Sequence, residues 1–337
     1  MSAILTHEFF GRDAYDSMSL KFGLLSNEEH EAFLIGNQGP DPLFYLALDP
    51  RGDKRDFMGN TMHHQRPALL LASLHDALSM IGKDELDVAR AYAAGFLCHY
   101  LLDSTMHPLV FSAQYGICDA GIEGLDRSDG SQVHAEIERD LDEMVLYVKT
   151  AKTIRDFLPY REVLKATDRA LGIIDKLYFY MNLWTYSHTV GLDCYTQAVR
   201  DFRLIQHLLY NPGEVKSKLI GPLEHAVTHK RYSLYHAMAH RVRADVHSAF
   251  DNADRLPWVN PFTGEVSTDD FWDLYDCALS RVPESIEHFL AKDFDHKAAL
   301  ELTGGLNFSG QPVDPDATED PAKPPVGVTY RGVGQDG

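Results

Sequence analysis

The sequence predicts an all-α protein: a single large multi-helix domain followed by a flexible tail. Apolar residues recur with a period close to 3.6 residues over most of the 337-residue chain, and strand-like alternation is hard to find. After Leu302 the chain becomes rich in Gly and Pro and poor in large apolar residues, which is typical of a flexible tail or an extended strap. We therefore expect one helical domain over residues 1–302 and a tail over 303–337.

The helical periodicity falls into segments separated by recognisable breaks. Ser26 and Glu29 form a capping-box pattern at the start of the second segment, and the Pro-Gly pair at 212–213 interrupts the chain after the seventh. Two stretches rich in Gly and polar residues, 36–66 and 114–132, are expected to be mostly loop. The predicted helices span residues 8–21, 27–35, 66–81, 85–102, 134–150, 162–190, 193–210, 221–251 and 269–292.

Composition and charge narrow the class of function. The chain carries 31 Lys and Arg against 50 Asp and Glu, a net charge of −19, and its 45% hydrophobic content excludes a wholly disordered protein. Residues 1–150 hold 11 basic and 24 acidic residues (net −13) and eight of the 17 histidines, whereas the remainder holds 20 and 26 (net −6). This excess disfavours nucleic acids and anionic lipid surfaces as partners but suits cations.

Targeting and membrane signals are weak. No stretch approaches the roughly 20 apolar residues of a membrane span, and the N-terminus lacks the basic start and apolar run of a secretory signal. The four cysteines form no C-x-x-C pair, which is typical of reduced thiols. We therefore expect a cytoplasmic protein without a transmembrane segment.

The most informative segment contains His99, Asp103 and His107. On a helix, His99 and Asp103 lie four residues apart and therefore share one face, within an otherwise apolar segment. A carboxylate buried there requires a partner or a cation. His107 would continue the same stripe, but Pro108 disfavours helical geometry at the residue before it. We expect His107 at the end of the helix, at the rim of a site.

A second pair, His134 and Glu138, also lies four residues apart on a predicted helix. Further candidates precede both helices: Asp41 in a Gly-Pro-Asp turn, the adjacent pair His63 and His64, and His7 at the start of the first helix. Zn²⁺ favours such a mixture of imidazole and carboxylate ligands, and catalytic zinc sites keep one position open for water.

Each of these patterns also has a purely structural interpretation. A single His-x₃-Asp pair is common as a hydrogen-bonded core pair, His134 and Glu138 resemble the acid–base pairs of exposed helices, and Gly-Pro-Asp is an ordinary turn. Their coincidence within 140 residues, on helices patterned to bury them, favours a multinuclear metal site.

A separate stripe of histidines occupies the predicted helix over 221–251. The spacings of 4, 7, 4 and 7 place them on one face, and no acidic residue of that helix closely shares it. We interpret this face as buried or interfacial and hydrogen-bonded rather than as a second metal centre. Its members are His225, His229, His236, His240 and His247.

In their order and spacing these motifs resemble the zinc-dependent phospholipase C family, all-α phosphodiesterases with three zinc ions that share a fold with fungal single-strand nucleases. The resemblance covers roughly residues 5–150. The chain is more similar to bacterial members that lack a secretory signal than to the secreted toxins. It is carried by Thr6-His7, the GNQGPD loop ending at Asp41, Met62-His63, the segment GFLCHYLLDSTMHP over 95–108, and HAEIE over 134–138.

The resemblance implies a set of zinc ligands. A first zinc would take Asp41, His63, His99 and Asp103. His64 would replace His63 if the match to the family pattern is shifted by one residue at this point. A second would take His107, His134 and Glu138, and a third would take His7 with Asp103 as a bridge. In the secreted enzymes a processed N-terminal tryptophan completes the third site, whereas here only MSAILT precedes His7. The third zinc would then be absent, weaker or completed by Met1 or Ser2.

The resemblance also implies phosphodiester hydrolysis by water activated at two or three zinc ions, with Asp41 as the residue that orients or deprotonates the water. The acidic surface favours a phospholipid or a small soluble phosphodiester over nucleic acid as substrate. Two alternatives are a non-catalytic helical zinc-binding or scaffold protein and a nucleotide phosphodiesterase. We expect the ligand residues to lie within 7–138 and a helical extension to follow over about 150–302.

Overall fold

The computed structural model describes residues 3–23, 26–48, 56–213 and 237–313. In these ranges the regular structure is almost entirely helical, which confirms the all-α fold class. The α-helices are α1 (Ile4–Phe22), α2 (Asn27–Gly36), α3 (Asp56–His64), α4 (Pro67–Ala77), α5 (Leu86–Cys118), α6 (Gly130–Thr150), α7 (Pro159–Glu162), α8 (Asp168–Tyr186), α9 (Cys194–Leu209), α10 (Phe271–Phe289) and α11 (His296–Thr303). Short 3₁₀ helices span Asp41–Leu48, Leu78–Met80 and Arg127–Asp129.

The strands are confined to one small antiparallel pair in the described residues. β1 (Trp258–Val259) pairs with β2 (Val266–Ser267), with Val259 opposite Val266. No described helix combines the length and apolar character needed to cross a membrane.

The central helix α5 is longer than predicted. It runs through Pro108 to Cys118, so the prediction that the helix ends near His107 is wrong. Pro108 removes one backbone donor, but most of the helix is buried, and tertiary packing outweighs the local preference against proline. His107 therefore lies inside the helix, on the same face as His99 and Asp103.

The stretches 36–66 and 114–132 contain more helix than predicted. The first holds the 3₁₀ helix Asp41–Leu48 and α3, and the second holds the end of α5. On α3 the apolar positions Met58 and Met62 are four residues apart and both buried. This short apolar stripe was obscured by the surrounding Gly and polar residues.

Two predicted helices are shorter than expected. The segment 162–190 is broken before α8, where Leu164 adopts a positive φ of 62° and Thr167 caps the new helix through its side chain. In the segment 221–251, residues 221–236 lie outside the described residues, and 239–251 are not helical. There the side chains compete with a helix: the Asp251 carboxylate accepts a hydrogen bond from Ser248 N at 3.0 Å.

The helices α2 and α5 cross at two glycines. A Cβ atom on Gly95 would lie 2.1 Å from the carbonyl oxygen of Phe33, and one on Gly36 would lie 2.4 Å from that of Tyr92. Only glycine permits this approach. The crossing places the chain after α2, which carries Asn37 and leads to Asp41, directly against the middle of α5.

Helices α8 and α9 support that same loop from the other side. Tyr178 donates a hydrogen bond to Gly39 O at 3.0 Å, Tyr92 donates to the Tyr178 hydroxyl at 2.9 Å, and Tyr195 donates to Ile35 O at 3.3 Å. Part of the helical extension therefore fixes the backbone that leads to Asp41.

Residues 304–313 form a strap along α5. Phe308 is fully buried, and Tyr100 donates hydrogen bonds to Thr303 O and Leu306 O. Gly310 passes so close to α5 that a Cβ atom there would lie 2.6 Å from Ser104 O. The remaining residues assigned to the tail, 314–337, lie outside the described residues.

Candidate metal centre

Asp103 lies at the centre of a cluster of buried or partly buried imidazoles. Its Oδ1 is 3.0 Å from His7 Nε2, and its Oδ2 is 3.1 Å from His99 Nε2 and 3.8 Å from His63 Nε2. His107, one turn further along α5, places Nδ1 3.8 Å from the same Oδ2. Four histidines from three helices therefore converge on one carboxylate.

Asp41 joins this cluster from the loop that follows α2. Its Oδ1 lies 3.0 Å from His63 Nε2, and the carboxylate is only 4% exposed. Gly39 makes this possible, since it adopts a positive φ of 48° and a Cβ atom there would lie 2.5 Å from the His99 ring.

A second carboxylate cluster adjoins the first. Glu138 Oε1 lies 3.3 Å from His134 Nε2 on the same helix and 3.5 Å from His107 Nε2 on α5. Because His107 lies between Asp103 and Glu138, it connects the two clusters. This role follows from the continuation of α5 through Pro108.

All eight sequence-predicted residues lie in three groups of donors that can hold a metal ion. Within each group, one donor atom per residue lies within 4.8 Å of the others. The groups are His7, Asp41 and His99; His63, His99 and Asp103; and His107, His134 and Glu138. His64, the fallback for His63, lies outside these groups.

The ring orientations fit metal binding. His63, His99 and His107 donate through Nδ1 to the carbonyl oxygens of Gly59, Asn37 and Phe308, at 2.7, 3.0 and 2.8 Å. Each of the three rings therefore presents an Nε2 lone pair to the carboxylates when the imidazole is neutral. A lone pair facing a carboxylate is unfavourable unless the ring takes up a proton or a metal cation lies between them, and donation of Nδ1–H to a backbone carbonyl is typical of metal-ligating histidines.

Two buried nitrogen atoms support the same conclusion. Neither His7 Nδ1 nor His99 Nε2 has a hydrogen-bond partner among the described residues, although His99 Nε2 lies 3.1 Å from an Asp103 oxygen. Buried polar atoms without partners are costly. Together with the donor types, imidazole and carboxylate, they fit the ligand preferences of zinc.

The electrostatics of the clusters keep the acids ionised. Burial by itself would raise the pKa of Asp103 and Asp41, but the surrounding histidines hold both below their ordinary values. Burial likewise opposes ionisation of Glu138, yet His134 and His107 keep its pKa low. Burial disfavours the charged form of His107 too, but Asp103 and Glu138 raise its pKa to about 9. The clusters are therefore complementary to positive charge.

A cavity of about 410 Å³ opens onto the three groups. Seven of the eight residues line it, and His99 lies fully buried behind them. Apart from those seven, the described part of the lining contains no Asp, Glu, Lys or Arg. It consists of Phe44, Asn60, His64, Phe111, Gln114, Gly130, Ser131 and Ser309.

Sequence reasoning missed the residues that orient the ligands. Gln114 accepts a hydrogen bond from His134 Nδ1 at 2.8 Å, and the Phe308 backbone accepts one from His107 and donates one to His63 O at 3.2 Å. Nothing in the local sequence marks either residue, because each contact depends on how distant segments pack. Two members of the stripe of histidines are described. His240 lies 3.0 Å from Asp142 Oδ2 on α6, as expected for a hydrogen-bonded face. His247 does not fit the prediction of a buried face without acidic neighbours, because its side chain is exposed and its Nδ1 lies 3.2 Å from Asp251 Oδ2. His225, His229 and His236 lie outside the described residues.

A comparison with known protein families identifies the family to which this chain belongs. The family described as zinc-dependent phospholipase C matches residues 6–208, which include all eight candidate residues. The chain belongs to the zinc-dependent phospholipase C family. No curated protein and no solved structure matches the chain significantly.

Membership in the zinc-dependent phospholipase C family, together with donor groups able to hold metal ions, supports zinc as the metal and a hydrolase of the phospholipase C type. The family match extends beyond the ligand residues through α7, α8 and most of α9. It thus includes Tyr178 and Tyr195, whose hydroxyls fix the loop that carries Asp41. Met1 and Ser2, the residues considered for the third zinc, lie outside the described residues.

Proposed function

We propose that this protein hydrolyses phosphodiester bonds in the manner of a phospholipase C, with two or three bound zinc ions and water as the nucleophile. One observation carries the proposal: three adjacent groups of buried and partly buried imidazole and carboxylate ligands meet at the wall of one open cavity. A purely structural zinc has four protein ligands and no open coordination position, so it does not need a cavity beside it.

When bound, zinc supplies Lewis acidity towards a phosphoryl oxygen and lowers the pKa of a coordinated water towards about 7. Residues of this chain would orient the attacking water and accept its proton. Asp41 lines the cavity and is held ionised by its histidine neighbours in spite of burial, so it can orient the attacking water and accept its proton. Its Oδ1 lies 3.0 Å from His63 Nε2, so this carboxylate stands directly beside a candidate zinc ligand.

The cavity lining bears on the substrate class. Lys and Arg are the side chains that commonly bind an additional phosphate, and the described lining contains neither. Phe44 and Phe111 offer apolar surface beside the donor groups: Phe44 lies 5.0 Å from the His63 ring and Phe111 lies 5.0 Å from the His134 ring, between centroids. These features, with the net charge of −19, favour a phospholipid or a small phosphodiester with one phosphate over a nucleic acid.

The test combines metal analysis with hydrolysis. We expect at least two zinc ions per chain by mass spectrometry, and zinc-dependent hydrolysis of bis-p-nitrophenyl phosphate and of phosphatidylcholine to diacylglycerol and phosphocholine. Single-stranded DNA serves as the polyanionic comparison, and we expect it to be cleaved far more slowly. Fewer than two zinc ions would contradict the multinuclear site, and zinc without any hydrolysis would favour the scaffold alternative.

The role of Asp41 has its own test. Asp41→Asn keeps the size of the side chain but removes its capacity to take a proton. We expect a loss of roughly 10²–10⁴-fold in kcat, the range for a general base. The zinc content of the variant must be measured in parallel. Unchanged hydrolysis would refute the assignment, and a fall in zinc content equal to the fall in activity would make Asp41 a ligand only.

A further inference from the structure

Another carboxylate of α6, Asp142, is buried near the metal centre without belonging to its groups of metal ligands. It follows Glu138 by one helical turn and is 1% exposed. Its Oδ1 accepts hydrogen bonds from Thr6 N and Thr6 Oγ1, both at 2.7 Å, and its Oδ2 accepts one from Leu5 N at 2.9 Å. Three donors at the start of α1 therefore converge on one carboxylate that is 136 residues distant from Thr6 in sequence.

Helix α1 depends on this contact because it has no local cap. Its N-cap residue, Ala3, makes no side-chain capping bond, and its first turn contains no acidic residue. The first backbone N–H groups of a helix have no partner within the helix, and the positive end of the helix dipole favours a negative charge. The Asp142 carboxylate on α6 accepts hydrogen bonds from the backbone N–H groups of Leu5 and Thr6 and places a negative charge at the N-terminus of α1. It therefore acts as an N-cap that comes from another helix.

The next residue after this capped turn is His7. Its backbone N–H closes the turn on Ala3 O at 3.0 Å, and its side chain places Nε2 3.0 Å from Asp103 Oδ1. The ring also stacks on His99, with 4.2 Å between centroids. His7 is the only one of the eight candidate metal ligands that comes from α1. Its position therefore depends on the first turn of that helix.

We propose that Asp142 is a positioning residue that holds His7 in the metal centre and thereby sets the affinity of the donor group that contains His7. The inference rests on the proposed zinc site but concerns a residue outside it. Asp142 is itself held by His240, whose Nε2 lies 3.0 Å from Oδ2. His240 belongs to the non-helical residues 239–251 and adds one contact to Asp142 beside the three hydrogen bonds from α1.

The chain offers a matched control on the same helix. Asp140 is also buried, at 7% exposure, but its carboxylate binds Arg241, Arg243 and Ser248, and in the described residues its hydrogen bonds and ion pairs go to residues 241–249 rather than to α1. Asp140→Asn and Asp142→Asn therefore make the same chemical change at two buried acids two residues apart. Only the second removes the cap.

The experiment measures zinc affinity by competition with a chelator, zinc stoichiometry by mass spectrometry, and hydrogen exchange of the amides at residues 5–7. For Asp142→Asn we expect one zinc to bind at least tenfold more weakly, the size found for residues that orient ligands, and faster exchange in the first turn of α1. For Asp140→Asn we expect the zinc affinity of the parent chain, even if the variant is less stable.

A milder variant guards against a failure to fold. Thr6→Val removes only the hydroxyl bond to Asp142 and leaves both backbone bonds, so we expect a smaller change in the same direction. Zinc binding that is unchanged in Asp142→Asn, or weakened equally in Asp140→Asn, would overturn the inference. If the parent chain binds no zinc at all, the proposed function fails instead, and the two failures are thus distinguishable.

Discussion

Phe308 is the residue through which the strap at 304–313 is expected to act, and Phe308→Ala tests it. The ring is fully buried among four others, with centroid distances of 5.1 Å to His63, 5.7 Å to His99, 5.1 Å to Tyr100 and 6.1 Å to Phe96. Removing a buried phenyl ring loses its transfer free energy and leaves a cavity, which together cost about 3–5 kcal/mol.

A second effect is expected on the metal centre. The backbone of Phe308 accepts a hydrogen bond from His107 Nδ1 and donates one to His63 O. If the strap loosens without the ring, both ligands lose an orienting contact, and zinc binds about 10–100-fold more weakly. At saturating zinc this adds about 1.4–2.8 kcal/mol to the loss of stability.

The assay is urea unfolding of the parent chain and the variant, each with a chelator and with excess zinc. Phe308→Leu is the matched control, because it retains most of the apolar volume and is expected to cost less than about 1.5 kcal/mol. A loss below about 1 kcal/mol for Phe308→Ala in the chelated state would refute the packing argument. Equal losses with and without zinc would refute the link between the strap and the metal centre.

Three further predictions concern single positions. His63→Ala is expected to lower the zinc content, whereas His64→Ala retains it, because only His63 belongs to a donor group; metal analysis of both variants decides. Gln114→Ala removes the acceptor of His134 Nδ1 and is expected to weaken one zinc by about 10–100-fold in chelator competition, and an unchanged affinity would contradict it. Gly95→Ala brings a Cβ atom to 2.1 Å from the Phe33 carbonyl oxygen and is expected to cost about 1–3 kcal/mol or more in urea unfolding, which a neutral result would disprove.

Helical periodicity predicted most helices, because apolar stripes of period 3.6 are a local property of the sequence. It failed where the decisive contacts are distant. The predicted end of α5 near His107 followed a sound local rule about proline, yet burial of the helix overrode it. The segment 239–251 lost its predicted helix where Arg241 and Arg243 bind acids of α6.

By itself, the sequence determined that this is an all-α chain whose N-terminal half carries imidazole and carboxylate pairs at helical spacing, such as His99 with Asp103 and His134 with Glu138. Only the tertiary structure decided how these pairs meet and which way the rings face. Spacing along a helix fixes which side chains share a face. The carbonyl of Asn37 that orients His99, and the Asp142 carboxylate that caps α1, come from segments brought together only by packing of the folded core.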